Sequence, residues 1–121
     1  SSQDIYEVFH PVMCDLPIEE FWIMLLNQSL KVIDRIRISQ GGLTSTQADV
    51  RCILREALLK RAVGIVLCHN HPSGNTTPSR EDTRLTELLC RAAETMNIKV
   101  IDHVIVTDGS YFSYADEGKL A

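Results

Sequence analysis

Residues 63–82 read V-G-I-V-L-C-H-N-H-P-S-G-N-T-T-P-S-R-E-D. Three kinds of local structure follow one another here. Residues 63–68 form a short apolar run of strand length, and a strand buried on both faces is its reading. That strand delivers His69 and His71 at its C-terminal end. Residues 73–78 hold Ser, Gly, Asn, Thr and Pro, a loop composition. Ser79 then opens an amphipathic helix predicted over 79–97, with Leu85, Leu88, Leu89, Ala92, Ala93 and Met96 apolar.

The flanking segments extend this pattern. Residues 21–26 (F-W-I-M-L-L) read as a second strand buried on both faces. Residues 31–39 alternate, which suits a strand with Ile36 and Ile38 inward, ended by Gly41-Gly42. A helix is predicted from Thr46 to Arg61, with Thr46 and Asp49 in a near capping box and Val50, Ile53, Leu54, Ala57 and Leu58 on one face. Residues 3–14 are weakly helical after Ser2 as N-cap. Pro11 and Pro17 interrupt them, so a short helix and a turn are expected. Residues 98–107 form a strand, and Asp108-Gly109 turns it into a return strand over 111–114. The order αββαβαββ predicts an α/β fold, a mixed β-sheet flanked by helices. One domain over residues 1–121 is expected.

The net charge of −4 lacks the basic excess of a stand-alone nucleic-acid binder. Arg35, Arg37, Arg51, Arg55, Lys60 and Arg61 read as solvated faces. Cys14, Cys52, Cys68 and Cys90 form no CxxC pair. Cys52, Cys68 and Cys90 have apolar neighbours, and buried free thiols in a reducing, cytoplasmic setting are the expectation for them. No apolar run reaches membrane-spanning length, and no membrane partner is expected.

The chemistry concentrates between His69 and Asp82. Residues two apart on a strand point to one side, so both imidazoles can address a single point. Asp82 falls in the first turn of the next helix, where a carboxylate also gains from the helix dipole. Two imidazoles and a carboxylate are a frequent catalytic zinc set that leaves one position for water. Other readings apply to each part taken alone. Ser79-x-x-Asp82 is by itself an N-capping box, and a lone HxH is weak. Capping and ligation compete for the same carboxylate, although its two oxygens can serve both. The adjacent letters H-N-H do not make an HNH nuclease, whose residues are scattered over a ββα unit.

The combination His69, His71, Ser79 and Asp82 resembles the JAMM motif of the JAB/MPN metalloprotease fold, H-x-H, seven residues, S-x-x-D. The string H-N-H-P-S-G-x-x-x-P-S-x-x-D, D-H-V-I-V at 102–106, F-W-I-M-L-L-N-Q-S-L-K-V-I and R-E-A-L are similar to the bacterial RadC branch, over nearly the whole chain. The resemblance implies a cytidine-deaminase-like fold with Zn2+ held by His69, His71 and Asp82. It implies that Ser79 helps hold a tetrahedral intermediate, and that a glutamate just before the first sheet strand bonds the reacting water. Glu19 and Glu20 both lie there; Glu19 aligns better, because the apolar run at Phe21 begins two residues after it. Longer members carry an N-terminal helix-hairpin-helix region, which these residues do not include.

The implied function is a zinc-dependent hydrolase, a metallopeptidase or isopeptidase, acting on a peptide or protein substrate. The alternative is a metal-binding, DNA-repair-associated module that acts in partner or DNA association without peptidase activity. Edge strands leave a homo-oligomer open. Asp102 and His103 are adjacent on a strand, so at most one faces the His69–His71 pair. They read as structural residues or supports for the ligands. Trp22 reads as core, His10 as surface and Glu56 as solvated or capping.

Overall fold

The computed structural model describes residues 1–41 and 49–120. In chain order they form α1 (Ser2–Met13), β1 (Glu20–Leu26), β2 (Val32–Gln40), α2 (Val50–Leu59), β3 (Gly64–Asn70), α3 (Arg80–Thr95), β4 (Lys99–Val106) and β5 (Tyr111–Ser113). The strands make one open mixed sheet in the order β2-β1-β3-β4-β5. β1 runs antiparallel to β2 and β3, β3 and β4 are parallel through the α3 crossover, and β4 returns into β5 as a hairpin. This is the α/β, mixed-sheet architecture that the element order predicts.

The two continuous apolar runs are the middle of the sheet, and alternation divides them between two layers. Ile23 and Leu25 of β1 join Ile65 and Leu67 of β3 beneath α2 and α3, against Ile53, Ala57, Leu89 and Ala93. Met24 and Leu26 join Val66 and Cys68 on the opposite face, against Ile5, Phe9 and Met13 of α1. β2 is an edge strand, and it alternates exposed and half-buried positions with Ile36 and Ile38 packed on the α2/α3 core. Trp22 is half-buried at the margin of the α1 layer.

One helix start differs from expectation. Ser1, not Ser2, caps α1, and the helix runs through Pro11 to Met13. Proline at this position removes one backbone donor, yet Ile5, Phe9 and Met13 lie on one helical stripe, all buried against the sheet. That apolar contact outweighs the missing hydrogen bond. The predicted start of the second helix at Thr46 lies outside the described residues. Asp49 caps α2 through the backbone N–H of Arg51 (2.8 Å).

One irregularity sets the direction of later side chains. Along the β3–β4 pair Ile65 faces Val100, but Val66 faces Asp102, so Ile101 is an extra residue. Such a bulge turns every following side chain to the other face. Val100 packs under α2 and α3, and the next like-facing residue is His103, opposite Leu67. Gly64 lies beside this bulge, where a Cβ would meet Ile101 and Leu26 at 3.4 Å.

Leu89 is fully buried under the sheet whereas Leu88 is 47% exposed. Leu89→Ala is expected to cost about 2–5 kcal/mol and Leu88→Ala less than about 0.5 kcal/mol, read from urea unfolding midpoints. Equal losses at the two positions would contradict the assigned helix face.

Candidate metal centre

β1 and β3 pair with Phe21 opposite His69. This register brings the chain entering β1 beside the imidazoles leaving β3. His69 is buried, and its ring stacks on Phe21 with centroids 5.6 Å apart. His71 is half-buried, with its backbone N–H donating to the Val106 carbonyl (3.1 Å). Its Nδ1 lies 2.7 Å from the carbonyl oxygen of Asn75, which only accepts, so Nδ1 carries hydrogen and Nε2 is left facing the site. The turn that returns Asn75 to His71 passes through Gly74 at φ +85°, a conformation that favours glycine.

His69 Nε2 and His71 Nε2 lie 3.1 Å apart. Asp82 reaches both, Oδ1 to His69 at 3.3 Å and Oδ2 to His71 at 3.4 Å. Glu19 Oε1 is 3.8 Å from His71 Nε2. Donor atoms of Glu19, His69 and His71 all fall within 4.8 Å of one another. A tetrahedral ion with bonds of about 2.0–2.2 Å has donor–donor edges of roughly 3.3–3.6 Å, and each of these three contacts is near that length, Asp82 meeting the two histidines through different oxygens. Two imidazole lone pairs this close also repel unless a proton or cation lies between them. The donor set therefore fits a divalent metal.

Ser79 stands at the exposed N-cap of α3. Its hydroxyl accepts from the Asp82 N–H (3.0 Å), and its own N–H donates to Asp82 Oδ2 (2.8 Å). The capping box and the histidine contacts thus coexist on one carboxylate. Glu20 does not approach the histidines. Strand alternation directs it to the α1 face, where Oε1 accepts from Trp22 Nε1 (2.9 Å) and Arg37 lies 3.5 Å from Oε2.

Residues 1–119 match the family model described as the RadC-like JAB domain. The chain belongs to that family. The mixed sheet with its flanking helices is consistent with a JAB/MPN-like fold. This RadC-like JAB domain is similar to a UPF0758 protein of Flavobacterium johnsoniae, 42% identical over 118 residues, covering 98% of the chain and 52% of that protein. A UPF0758 protein of Porphyromonas gingivalis is 46% identical over 120 residues, covering 98% and 53%. One of Methanosarcina acetivorans is 34% identical over 118 residues, covering 98% and 52%. The chain spans about half the length of these relatives.

Two contributors escaped the sequence reading. Asn70 is buried between the histidines in sequence but faces the other way. Its Oδ1 accepts from the Glu20 N–H (2.7 Å) and its Nδ2 donates to the Ile18 carbonyl (3.0 Å), so it clamps the backbone on both sides of Glu19. Its position between two same-facing residues was the available signal. Thr86 is buried one turn after Asp82 and contacts His103. The Asp102–His103 pair divides as strand geometry requires. Asp102 accepts from Ser113 Oγ (2.6 Å) and Ala115 N–H (3.0 Å) and ties down the segment after β5, while His103 lies 2.9 Å from His69.

A second donor group, His10, Cys14 and Asp108, lies at the α1 face of the RadC-like JAB domain. His10 Nε2 is 2.8 Å from the Asp108 carbonyl, and the Tyr6 hydroxyl donates to the same oxygen. Partial burial and the Asp15 and Asp108 carboxylates push the Cys14 thiol up, so it keeps its proton. These contacts fasten the β4–β5 turn to α1.

Charges in the site are strongly coupled. Burial opposes ionisation of Asp82, but His69 and His71 outweigh it and hold the carboxyl far below its usual range. Burial opposes protonation of His71, yet the hydrogen bonds to Asp82 and the Asn75 carbonyl, with the charges of Asp82 and Glu19, raise its pKa. Glu19 is raised by burial, against the lowering effect of His69 and His71. Burial, with the neighbouring His69, keeps His103 well below the imidazole range, and therefore neutral.

The signs give a pH window for the metal-free domain. Depressed Asp82 stabilises the fold above its ordinary 3.8, and this is lost as pH falls. Raised His71 stabilises it below its ordinary 6.5, and this is lost as pH rises through the folded value. With a chelator present, urea midpoints should therefore fall on both sides of roughly pH 4–6.5 from this pair, and Asp82→Asn should flatten both limbs. Unchanged limbs in that variant would contradict the pairing.

Proposed function

We propose that this domain is a zinc-dependent amide hydrolase of the JAMM type, a metallopeptidase or isopeptidase. The observation that carries the reading is the convergence of His69, His71 and Asp82 on one point with Glu19 at its edge. His69, His71 and Asp82 would hold the ion. Zinc, when bound, supplies Lewis acidity and lowers the pKa of a water to about 7.

The remaining roles belong to the chain. Glu19 accepts a proton from the attacking water and returns it to the departing amine as the carbon–nitrogen bond breaks. Its raised proton affinity suits a group that must do both. The products are a carboxylate and an amine. The Ser79 hydroxyl accepts from the Asp82 N–H, so its own hydrogen remains available to the carbonyl oxygen as charge develops there. Asn70 keeps Glu19 at the rim through its flanking backbone.

Zinc analysis and calorimetry of the purified domain test the ligands, with a chelator-sensitive peptidase and isopeptidase screen as the activity readout. His69→Ala and Asp82→Ala are expected to lose stoichiometric zinc, and full retention in both refutes the site. Glu19→Gln should keep zinc but lose hydrolysis. DNA retention indifferent to chelator, in a protein with no hydrolytic activity, would favour the association-module reading instead.

Ser79 separates by substitution. Ser79→Gly preserves the cap within a few tenths of a kcal/mol, whereas Ser79→Ala costs about 1 kcal/mol. Both should lower kcat by roughly 10²–10³. Activity retained in the glycine variant would leave Ser79 with the cap alone.

A further inference from the structure

His103 is fully buried at the back of the site, and the proposed reaction leaves it without a task. Its Nε2 lies 2.9 Å from His69 Nδ1, and its Nδ1 lies 2.6 Å from Thr86 Oγ1. Thr86 Oγ1 in turn lies 2.8 Å from the backbone carbonyl oxygen of Asp82. The ring stacks on Tyr114 (centroids 4.8 Å, interplanar 8°) and meets the edge of Phe21.

Counting hydrogens gives this chain a direction. A carbonyl oxygen only accepts, so the single Thr86 hydroxyl hydrogen goes to Asp82. Thr86 Oγ1 must then accept from His103, whose Nδ1 carries hydrogen. The ring nitrogens of His103 meet only a hydroxyl and another imidazole, without a carboxylate partner, an environment that disfavours a charged ring. Its Nε2 is therefore a bare acceptor. His69 must donate to it from Nδ1, and its lone pair is left on Nε2, the nitrogen that faces His71 and Asp82.

We infer that Thr86 and His103 are positioning residues that lock the tautomer of His69, so that only Nε2 is offered to the metal. This inference rests on the metal-site reading above. His71 achieves the same end through a backbone carbonyl, Asn75. His69 has no such carbonyl and uses a neutral imidazole, which the bulge at Ile101 turns to this face. The lock also joins two ligands, because the oxygen that starts the sequence of donors belongs to Asp82 itself.

Thr86→Val keeps the shape and removes the acceptor. His103 would then move its hydrogen to Nε2 and donate to His69, leaving Nε2 of His69 protonated and unable to ligate. Thr86→Ser restores the hydroxyl. In metal-free, 15N-labelled protein, long-range imidazole correlations should give the Nδ1–H form of His69 in the wild type and Thr86→Ser. Thr86→Val should give the Nε2–H form. Zinc affinity should fall roughly 10–100-fold in Thr86→Val and stay within about threefold in Thr86→Ser. A wild-type His69 in the Nε2–H form overturns the lock, as does zinc affinity in Thr86→Val equal to that of Thr86→Ser. The wild-type spectrum decides the lock even if Thr86→Val fails to fold. A wild type that binds no zinc but shows the expected tautomers retains the lock and refutes the metal reading.

Discussion

Antiparallel pairing of Phe21 with His69 is the contact on which the site depends. It joins the entry of β1 to the exit of β3, segments almost fifty residues apart in sequence. Asn70, next to the pair, hydrogen-bonds Ile18 and Glu20, so the backbone around Glu19 is held by the same strand that carries the histidines. A one-residue slip would send His69 and His71 into the α1 layer and Asn70 into the site. The apolar alternation that fills both layers resists that slip, because Ile65 and Leu67 would exchange cores with Val66 and Cys68. The packing of the sheet and the placement of its chemistry are one constraint.

Asp82 shows how a local motif and a long-range one share a residue. Its carboxylate closes the α3 capping box with Ser79 and still directs an oxygen toward each histidine. The helix start supplies N–H donors and a favourable dipole, so an ionised carboxylate is at home there. The same turn reaches back through Thr86 to His103, which links helix, sheet and Asp82 in one hydrogen-bonded set.

Membership of the RadC-like JAB family accords with this arrangement, since the match runs from residue 1 to residue 119 and includes every element that contributes a side chain to the site. The aromatic shelf formed by Phe21 and Tyr114 against His69 and His103 excludes water from the rear of the centre. Among the described residues, Glu19 and His71 are half-buried and Ser79 is exposed, in contrast to the buried His69 and His103.

Much of this was legible in residue order, because it depends on neighbours in the chain. Period-two alternation put His69 and His71 on one side, loop composition returned the chain, and S-x-x-D announced both a cap and a carboxylate at the right place. Element types and their order followed from apolar patterning. Pro11 misled, since the local rule for proline was overruled by the buried stripe of α1. The choice between Glu19 and Glu20 could only be leaned on, because it turns on which face of β1 meets His69. Likewise nothing in K-V-I-D-H-V-I-V reveals that Ile101 is surplus and that His103 therefore turns inward. Such features come from the registry between strands distant in sequence, where pairing energies of whole segments, rather than the preferences of single residues, decide which way a side chain points.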